Sequence, residues 1–340
     1  MEVNDTILTA LKRIAEVYKS QGNVHKHKAY RNAIDTIRDW GKPISAASQL
    51  KGARGIGKAM LEKIDEVIKT GGLAQEAEVM ADPINAALKL FTGIHGIGPV
   101  LARKLVHEDG LRTLEDLEGV HLPPQARLGL KHHADASERI TFDEIECHLE
   151  FVTNVAAKDV DPRLAVAVCG SHRRRQATSG DIDVLLTHSG SHSTTNSPYR
   201  YLALLAAALR ARGYVVDILA EGASKFMGYA KLPADFRPKA VGPGAAAGGP
   251  TGAPHGYNKV RRLDMRWVTF DQYPAALLYF TGSDMFNVRM RETAIKQGYK
   301  LNEYGLTKAD TGKFVDAPTE RAIFDVLGMA FVEPHNRSTI

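Results

Sequence analysis

Three aspartates carry the densest chemical signal in this chain. Asp181 and Asp183 flank Ile182 in the apolar run Asp181-Ile182-Asp183-Val184-Leu185-Leu186. A strand turns alternate side chains to opposite faces, so the two carboxylates share one face while Ile182 and Val184 pack the other. Carboxylates held side by side repel unless cations neutralise them. Mg2+ is the expected cation, because it prefers hard oxygen ligands and substrate phosphates, and Mn2+ suits the same donors. A second ion needs a further carboxylate, and Arg261-Arg262-Leu263-Asp264-Met265-Arg266-Trp267 supplies one in another strand-like run. Two ions about 3.5–4 Å apart lower the pKa of an attacking hydroxyl and steady a leaving phosphate oxygen.

The residues upstream suit a polyphosphate. Gly170-Ser171 and Ser179-Gly180 offer backbone and hydroxyl donors, and Arg174 adds charge between them. Alone, Asp-x-Asp is a common surface feature of edge strands. Gly-Ser at this spacing, the intervening arginines and Asp264 downstream weigh the reading toward metal-assisted chemistry.

A second pattern is an internal repeat. Gly52-Ala53-Arg54-Gly55-Ile56-Gly57 precedes Met60, Leu61, Lys63 and Ile64; forty-one residues on, Gly93-Ile94-His95-Gly96-Ile97-Gly98 precedes Val100, Leu101, Lys104 and Leu105. Each copy reads as a tight glycine turn opening an amphipathic helix. Such a turn lets backbone approach another group closely, and the helix N-terminus behind it favours phosphate. Lys58, Lys63, Arg103 and Lys104 add charge nearby. One copy would pass for an ordinary helix cap; two in one register predict a grip on the DNA backbone that positions without reading sequence. The pattern resembles helix-hairpin-helix elements. That resemblance implies a monovalent cation, Na+ or K+, on the carbonyls of Lys51, Ala53 and Ile56 in the first copy and Thr92, Ile94 and Ile97 in the second.

These groups need scaffolding, and the hydrophobic periodicity outlines it. Ile7, Leu8, Leu11, Ile14, Ala15 and Tyr18 repeat at helical spacing behind Asp5, a candidate N-cap; Tyr30, Ala33, Ile34 and Ile37 form a second such face before a break at Lys42-Pro43. From Leu164 the pattern turns to strands at 164–169, 181–187, 214–219, 225–231 and 259–269, with a helix over 201–212. The stretch 237–255, rich in Gly, Ala and Pro, reads as a surface loop between strands. The 340 residues suffice for two or more domains, and 44% hydrophobic residues is ordinary for a globular protein. No run of about 18 apolar residues predicts a membrane span. A net charge of +5 permits a nucleic-acid partner. Two cysteines without ligand spacing argue against a disulfide framework or zinc site and fit an intracellular compartment.

Taken together, these blocks resemble the family X DNA polymerases of the nucleotidyltransferase superfamily over about residues 8–334. The likeness includes both hairpins, the Gly-Ser to Asp-x-Asp block, Arg261-Arg262-Leu263-Asp264, and Leu278-Tyr279-Phe280-Thr281-Gly282-Ser283-Asp284-Met285-Phe286-Asn287. It implies an α+β fold in four parts: a helical lyase domain (1–80), a helix-hairpin-helix DNA-binding subdomain (81–141), a catalytic palm with a mixed sheet (142–270) and a nucleotide-selecting subdomain (271–340). It also implies that Asp181 and Asp183 bind both metals and that Asp264 orients the primer 3′-hydroxyl. Ser171, Arg174, Ser179, Gly180 and Arg139 would hold the triphosphate. Tyr279 and Phe280 would border the sugar, with Gly282 also at the nucleotide, Asp284 and Asn287 would lie against the base, Arg291 would face the template, and Arg262 would touch the primer backbone or Asp264. Val288 stands where the family usually has a lysine beside the templating base. Lys63 matches the Schiff-base lysine of a 5′-deoxyribose-phosphate lyase, with His25, Lys26, Tyr30 and Lys58 about the 5′-phosphate. Ala59 and Gln75 replace two further lysines, which weakens that phosphate grip.

The resulting expectation is a monomeric gap-filling polymerase of base excision repair, without proofreading. It would act on gapped or nicked DNA with dNTPs, in the nucleus or mitochondria, beside other repair proteins. Its rivals are a polymerase whose N-terminal domain only binds DNA, a template-independent transferase and a non-catalytic DNA-end binder.

Overall fold

The computed structural model describes residues 2–192, 200–238 and 257–338. Most of the expected 237–255 loop therefore lies outside the described residues. The chain forms two compact units, 1–133 and 134–340, and no helix among the described residues is long and apolar enough to cross a membrane.

The first unit is helical: α1 (Glu2–Ser20), α2 (Val24–Asp39), α3 (Lys58–Thr70), α4 (Ala74–Ala81), α5 (Pro83–Thr92), α6 (Pro99–Arg103) and α7 (Pro124–Lys131). The apolar stripes of α1, α2 and α3 meet in one core containing Ile7, Leu11, Ile14, Ile34, Ile37 and Ile64. A second core gathers Leu88, Phe91, Ile94, Ile97 and Leu105 around the second hairpin. Asp5 is not the N-cap of α1, which begins at Glu2. The reason is tertiary: Asn4 donates to Lys42 O (2.9 Å) and accepts from Ile44 N–H (2.8 Å), anchoring a first turn that local capping does not supply.

The repeat is real at the level of individual hydrogen bonds. Ala53 and Ile56 N–H donate to Leu50 and Ala53 O; Ile94 and Ile97 N–H donate to Phe91 and Ile94 O. Gly57 and Gly98 are the extended N-caps of α3 and α6, and no side chain caps either helix. First-turn N–H groups are thus left for an external acceptor. The second turn is pressed against α7. A Cβ on Gly129 would collide with the His95 carbonyl, and one on Gly96 (φ +88°) would lie 2.7 Å from Gln125 C. Backbone against backbone cannot yield as a side chain can. Gly129→Ala is therefore expected to cost about 1–3 kcal/mol, read as a melting temperature several degrees lower and weaker DNA binding; an unchanged melt would deny this contact its role.

The second unit follows the short α8 (His133–Ala136). Its strands β1 (Ile140–Thr141) and β3 (Thr178–Ser179) pair with each other. The main sheet has the order β2 (Leu164–Val168), β4 (Ile182–His188), β7 (Arg261–Trp267), β6 (Lys225–Ala230), β5 (Val215–Glu221). It is mixed: β4 and β7 run parallel and the other neighbours antiparallel. One face is core, where Ile182, Val184, Leu186, Leu263, Met265 and Trp267 pack with residues of α9 (Phe142–Val155) and α11 (Arg200–Ala211). By strand alternation Asp183 and Asp264 occupy the other face. The helix α10 (Gly170–Arg173) lies between β2 and β3. The chain ends with α12 (Tyr273–Thr281), α13 (Asp284–Lys296), an antiparallel sheet of β8 (Tyr299–Asn302), β9 (Gly305–Lys308) and β10 (Phe314–Val315), and α14 (Glu320–Val326).

Buried charge fixes β7 beside the site. Arg261 makes a bidentate pair with Glu144 (2.6 and 2.9 Å), and both are almost fully buried. Arg261 also donates to the Asp135 and Glu138 carbonyls, so its donors are satisfied inside the protein, as a buried guanidinium requires.

Candidate active site

The parallel register of β4 and β7 sets Asp183 directly opposite Asp264. Asp181 joins them just before β4, and each of the three offers an oxygen within 4.8 Å of the others'. The sheet thus delivers the three carboxylates that the sequence singled out. Arg262, two residues before Asp264 on the same strand face, contacts Asp181 and lies 3.3 Å from Asp264 Oδ2. Arg174 acts on Asp183, and Lys225 and Arg266 act on Asp264, from further away. Burial, with Asp181 and Asp264 adding repulsion, pushes the Asp183 carboxyl up to about 7. Burial also raises Asp264 against the pull of Arg262. Asp264 Oδ1 is buried without a hydrogen-bond partner. Three clustered hard-oxygen carboxylates with an unpaired buried oxygen fit divalent cations.

The backbone leaves room for that use. Gly170 (φ +57°) abuts Asp183 so closely that a Cβ would strike Asp183 Oδ2. The neighbouring Cys169 N–H donates to Asp183 O at 2.8 Å. From this turn Ser171 donates to Ser179 Oγ (2.7 Å), joining the Gly-Ser and Ser-Gly pairs into one rim. Arg139 donates to Thr178 Oγ1 (3.1 Å) and Thr178 O (2.7 Å), beside Gly180. Arg174 reaches Thr281 O (2.5 Å) and Ser338 Oγ (2.8 Å), against Gly282.

Around α12 and α13 the remaining candidates gather. Tyr279 O accepts from Asn287 Nδ2 (2.7 Å), and the Arg291 guanidinium sits 5.1 Å from the Tyr279 ring centre. Phe280 lines a cavity with Asp183, Asp264, Lys225 and Arg266. Asp284 opens α13 behind its N-cap Ser283, and Val288 is exposed.

Sequence reading missed several of these supports. Lys225 and Arg266, direct partners across β6 and β7, flank Asp264. Arg173 pairs with Glu320 (2.6 Å) and donates to Thr281 Oγ1 (2.6 Å), while the fully buried Arg337 takes the other side of Glu320 (2.7 Å). Two arginines around one buried carboxylate tie the turn at 170–174 to the C-terminal helices, and they hold Glu320 ionised below its usual range despite burial. The only sequence signal was Arg173 inside the arginine run.

In the first unit, Lys63 Nζ contacts Gln75 Oε1. Gln75 also donates to Tyr18 OH (3.0 Å) and accepts from Tyr30 OH (3.4 Å). The Lys26 ammonium lies 4.8 Å from the Tyr18 ring centre. Lys63, Tyr30 and Lys26 therefore share one neighbourhood, with Gln75, expected only to weaken phosphate binding, at its centre. His25, Lys51 and Lys58 are exposed nearby in sequence. Arg103, counted as charge for the second hairpin, donates instead to Gln21 O at 3.1 Å.

Comparison with known proteins agrees with this layout. Family models match in chain order: a helix-hairpin-helix domain over 2–73, the fingers domain of DNA polymerase lambda over 89–137, the DNA polymerase beta palm over 139–270 and the DNA polymerase beta thumb over 276–338. DNA polymerase lambda of Rattus norvegicus is 32% identical over 97% of this chain and 56% of its own length. DNA polymerase lambda of Arabidopsis thaliana is 28% identical over 99% and 62%. DNA-directed DNA/RNA polymerase mu of Homo sapiens is 27% identical over 98% and 69%. The chain thus spans a little over half the length of the first two relatives. With the three aspartates in register and matches running from end to end, the chain belongs to the family X DNA polymerases.

Proposed function

We propose that this protein is a DNA-directed DNA polymerase that fills short gaps during base excision repair, using two Mg2+ ions, and that its first unit carries 5′-deoxyribose-phosphate lyase activity. The observation that carries the polymerase reading is the Asp183–Asp264 register, with Asp181 beside it and the Gly170-Ser171 turn against it. When bound at the triad, the ions supply Lewis-acid stabilisation and an activated 3′-hydroxyl. The protein's own part is positional. Asp264 orients the primer end, the rim of Ser171, Ser179, Gly180, Arg174 and Arg139 holds the triphosphate, and Tyr279, Phe280 and Asn287 border the sugar and base.

The uncapped N-termini of α3 and α6 support phosphate contacts from both hairpins. The carbonyls of Ala53 and Ile94 each keep a lone pair beyond the turn bond they accept, consistent with a Na+ or K+ ion there. The lyase reading rests on the Lys63, Gln75, Tyr18 and Tyr30 cluster. A lysine amine placed so can attack the sugar aldehyde, with β-elimination releasing the sugar. Primer extension on a one-nucleotide gap, with and without a template base and with and without Mg2+, tests the polymerase reading. Template-directed, metal-dependent addition is expected. Addition that ignores the template would favour a transferase, and none at all a DNA-end binder.

A further inference from the structure

His172 lies between two residues assigned to the triphosphate rim or its support, Ser171 and Arg173, yet it points away from both tasks. Its imidazole is buried and stacks on the Phe142 ring, with centroids 4.3 Å apart and planes 18° from parallel. Its Nε2 lies 2.8 Å from Glu146 Oε1, a close contact that lacks hydrogen-bond geometry. Phe142 and Glu146 are four residues apart on α9 and so share one helix face. A flat ring and a carboxylate at that spacing form a clamp shaped for one imidazole. The start of α9 is itself tied to the same turn. Phe142 N–H donates to Ala177 O (3.2 Å), and β1 pairs with β3 so that Ile140 faces Ser179.

The turn beside this clamp is held from the far side by Arg173 and Arg174, which reach Glu320, Thr281 and Ser338, and on the near side by His172. It is a single helical turn, Gly170–Arg173, followed by Arg175 at φ +55°, a conformation unfavourable for a side-chain-bearing residue. Ser171 O accepts from Gln176 N–H (3.0 Å) and His172 O from Arg175 N–H (2.8 Å). Displacing His172 therefore displaces Ser171 directly. Burial holds the imidazole below its usual pKa although Glu146 pulls the other way.

We propose that His172 is a positioning residue for the incoming nucleotide: clamped by Phe142 and Glu146, it sets the height of Ser171 on the triphosphate rim. The inference rests on the polymerase reading above. It assigns a nucleotide-affinity role to Glu146, a half-exposed residue on a helix not otherwise part of the site (side chain 47% exposed). Small misplacements of a binding group are costly because geometry, rather than contact number, sets the effect.

The test is a double-mutant cycle on the full chain with His172→Phe, which keeps the stack and loses the carboxylate contact, and Glu146→Ala, at a site open enough to tolerate truncation. Two quantities are read: KM and kcat for gap filling, and Kd for a non-hydrolysable dNTP with Mg2+ on gapped DNA. Each single variant is expected to raise KM and Kd by about 3- to 10-fold with kcat within about twofold, the signature of lost binding. The double variant should be no worse than the worse single, because both break one contact. Unchanged KM and Kd in Glu146→Ala, or effects that multiply in the double variant, would overturn the proposal while leaving the polymerase reading intact. Failure of the wild type to bind the nucleotide or extend the primer would overturn that reading and the proposal with it.

Discussion

Asp183→Asn is expected to lower templated nucleotide addition by about three orders of magnitude or more, yet to leave the metal-free protein more stable at pH 8. The loss follows from removing one of three oxygen donors. Metal-assisted stabilisation is worth several kcal/mol, and about 1.4 kcal/mol is tenfold in rate. The gain in stability follows from the charge the fold confines there. The Asp183 carboxyl is pushed up to about 7 from 3.8, first by burial and then by Asp181 and Asp264. A carboxyl with a raised folded-state pKa contributes stability that is full below its unfolded value and lost as pH rises through the folded one. Without divalent ions, wild type should therefore melt at a lower temperature at pH 8 than at pH 6, and Asp183→Asn should lose most of that dependence. Added Mg2+ should raise the wild-type melting temperature at pH 8, as a ligand that binds only the folded state does, and raise the variant's far less. Equal pH slopes and equal responses to Mg2+ would show that Asp183 is neither strained by charge nor a ligand.

The second large effect is expected in the first unit. Lys63→Ala should reduce borohydride trapping on a 5′-deoxyribose-phosphate end by about a hundredfold or more, because trapping requires a covalent imine on a lysine amine. Templated addition should stay within a few-fold, since the carboxylates and the rim proposed to hold the nucleotide belong to the other unit. The neighbouring lysines are poor substitutes. Lys58 is exposed at the start of α3, and Lys69 pairs with Asp65 at 2.6 Å. Lys63 contacts Gln75 directly at the centre of the Tyr18 and Tyr30 cluster, whereas Lys26 lies over the Tyr18 ring. Trapping at the wild-type level would remove Lys63 as the nucleophile.

The geometry of the candidate site was legible in the sequence where it depends on local spacing. Asp181 and Asp183 share a face because strands alternate, and the two glycine turns repeat because each is a local hydrogen-bond pattern. The strands at 182–188 and 261–267 fall within a residue or two of the apolar runs that announced them. Long-range pairing was not legible. Nothing in the run around Asp264 says that β7 lies parallel to β4 with Asp264 opposite Asp183. Glu144 and Arg261 look like ordinary surface charges in sequence, and only the fold buries them together. The same holds for Arg173, Glu320 and Arg337, which meet across the second unit. Asp5 shows the converse error: a sound local signal for a helix start was overridden by Asn4 anchoring to Lys42 and Ile44. His172 was visible within the most informative stretch, but its meaning depends on Phe142 and Glu146, which only the packing of α9 brings to it.

The central claim is that Asp181, Asp183 and Asp264 form one metal-dependent centre for templated nucleotide addition. It is tested most directly by primer extension on DNA with a one-nucleotide gap and a 5′-phosphate, in Mg2+, comparing wild type with Asp264→Ala. The account predicts that wild type adds the nucleotide complementary to the template base. It also predicts that Asp264→Ala, folded and still bound to the DNA, is slower by about three orders of magnitude or more. Addition by the variant at a rate within about tenfold of wild type would contradict it, since the buried unpaired oxygen of Asp264 would then serve no purpose in the reaction.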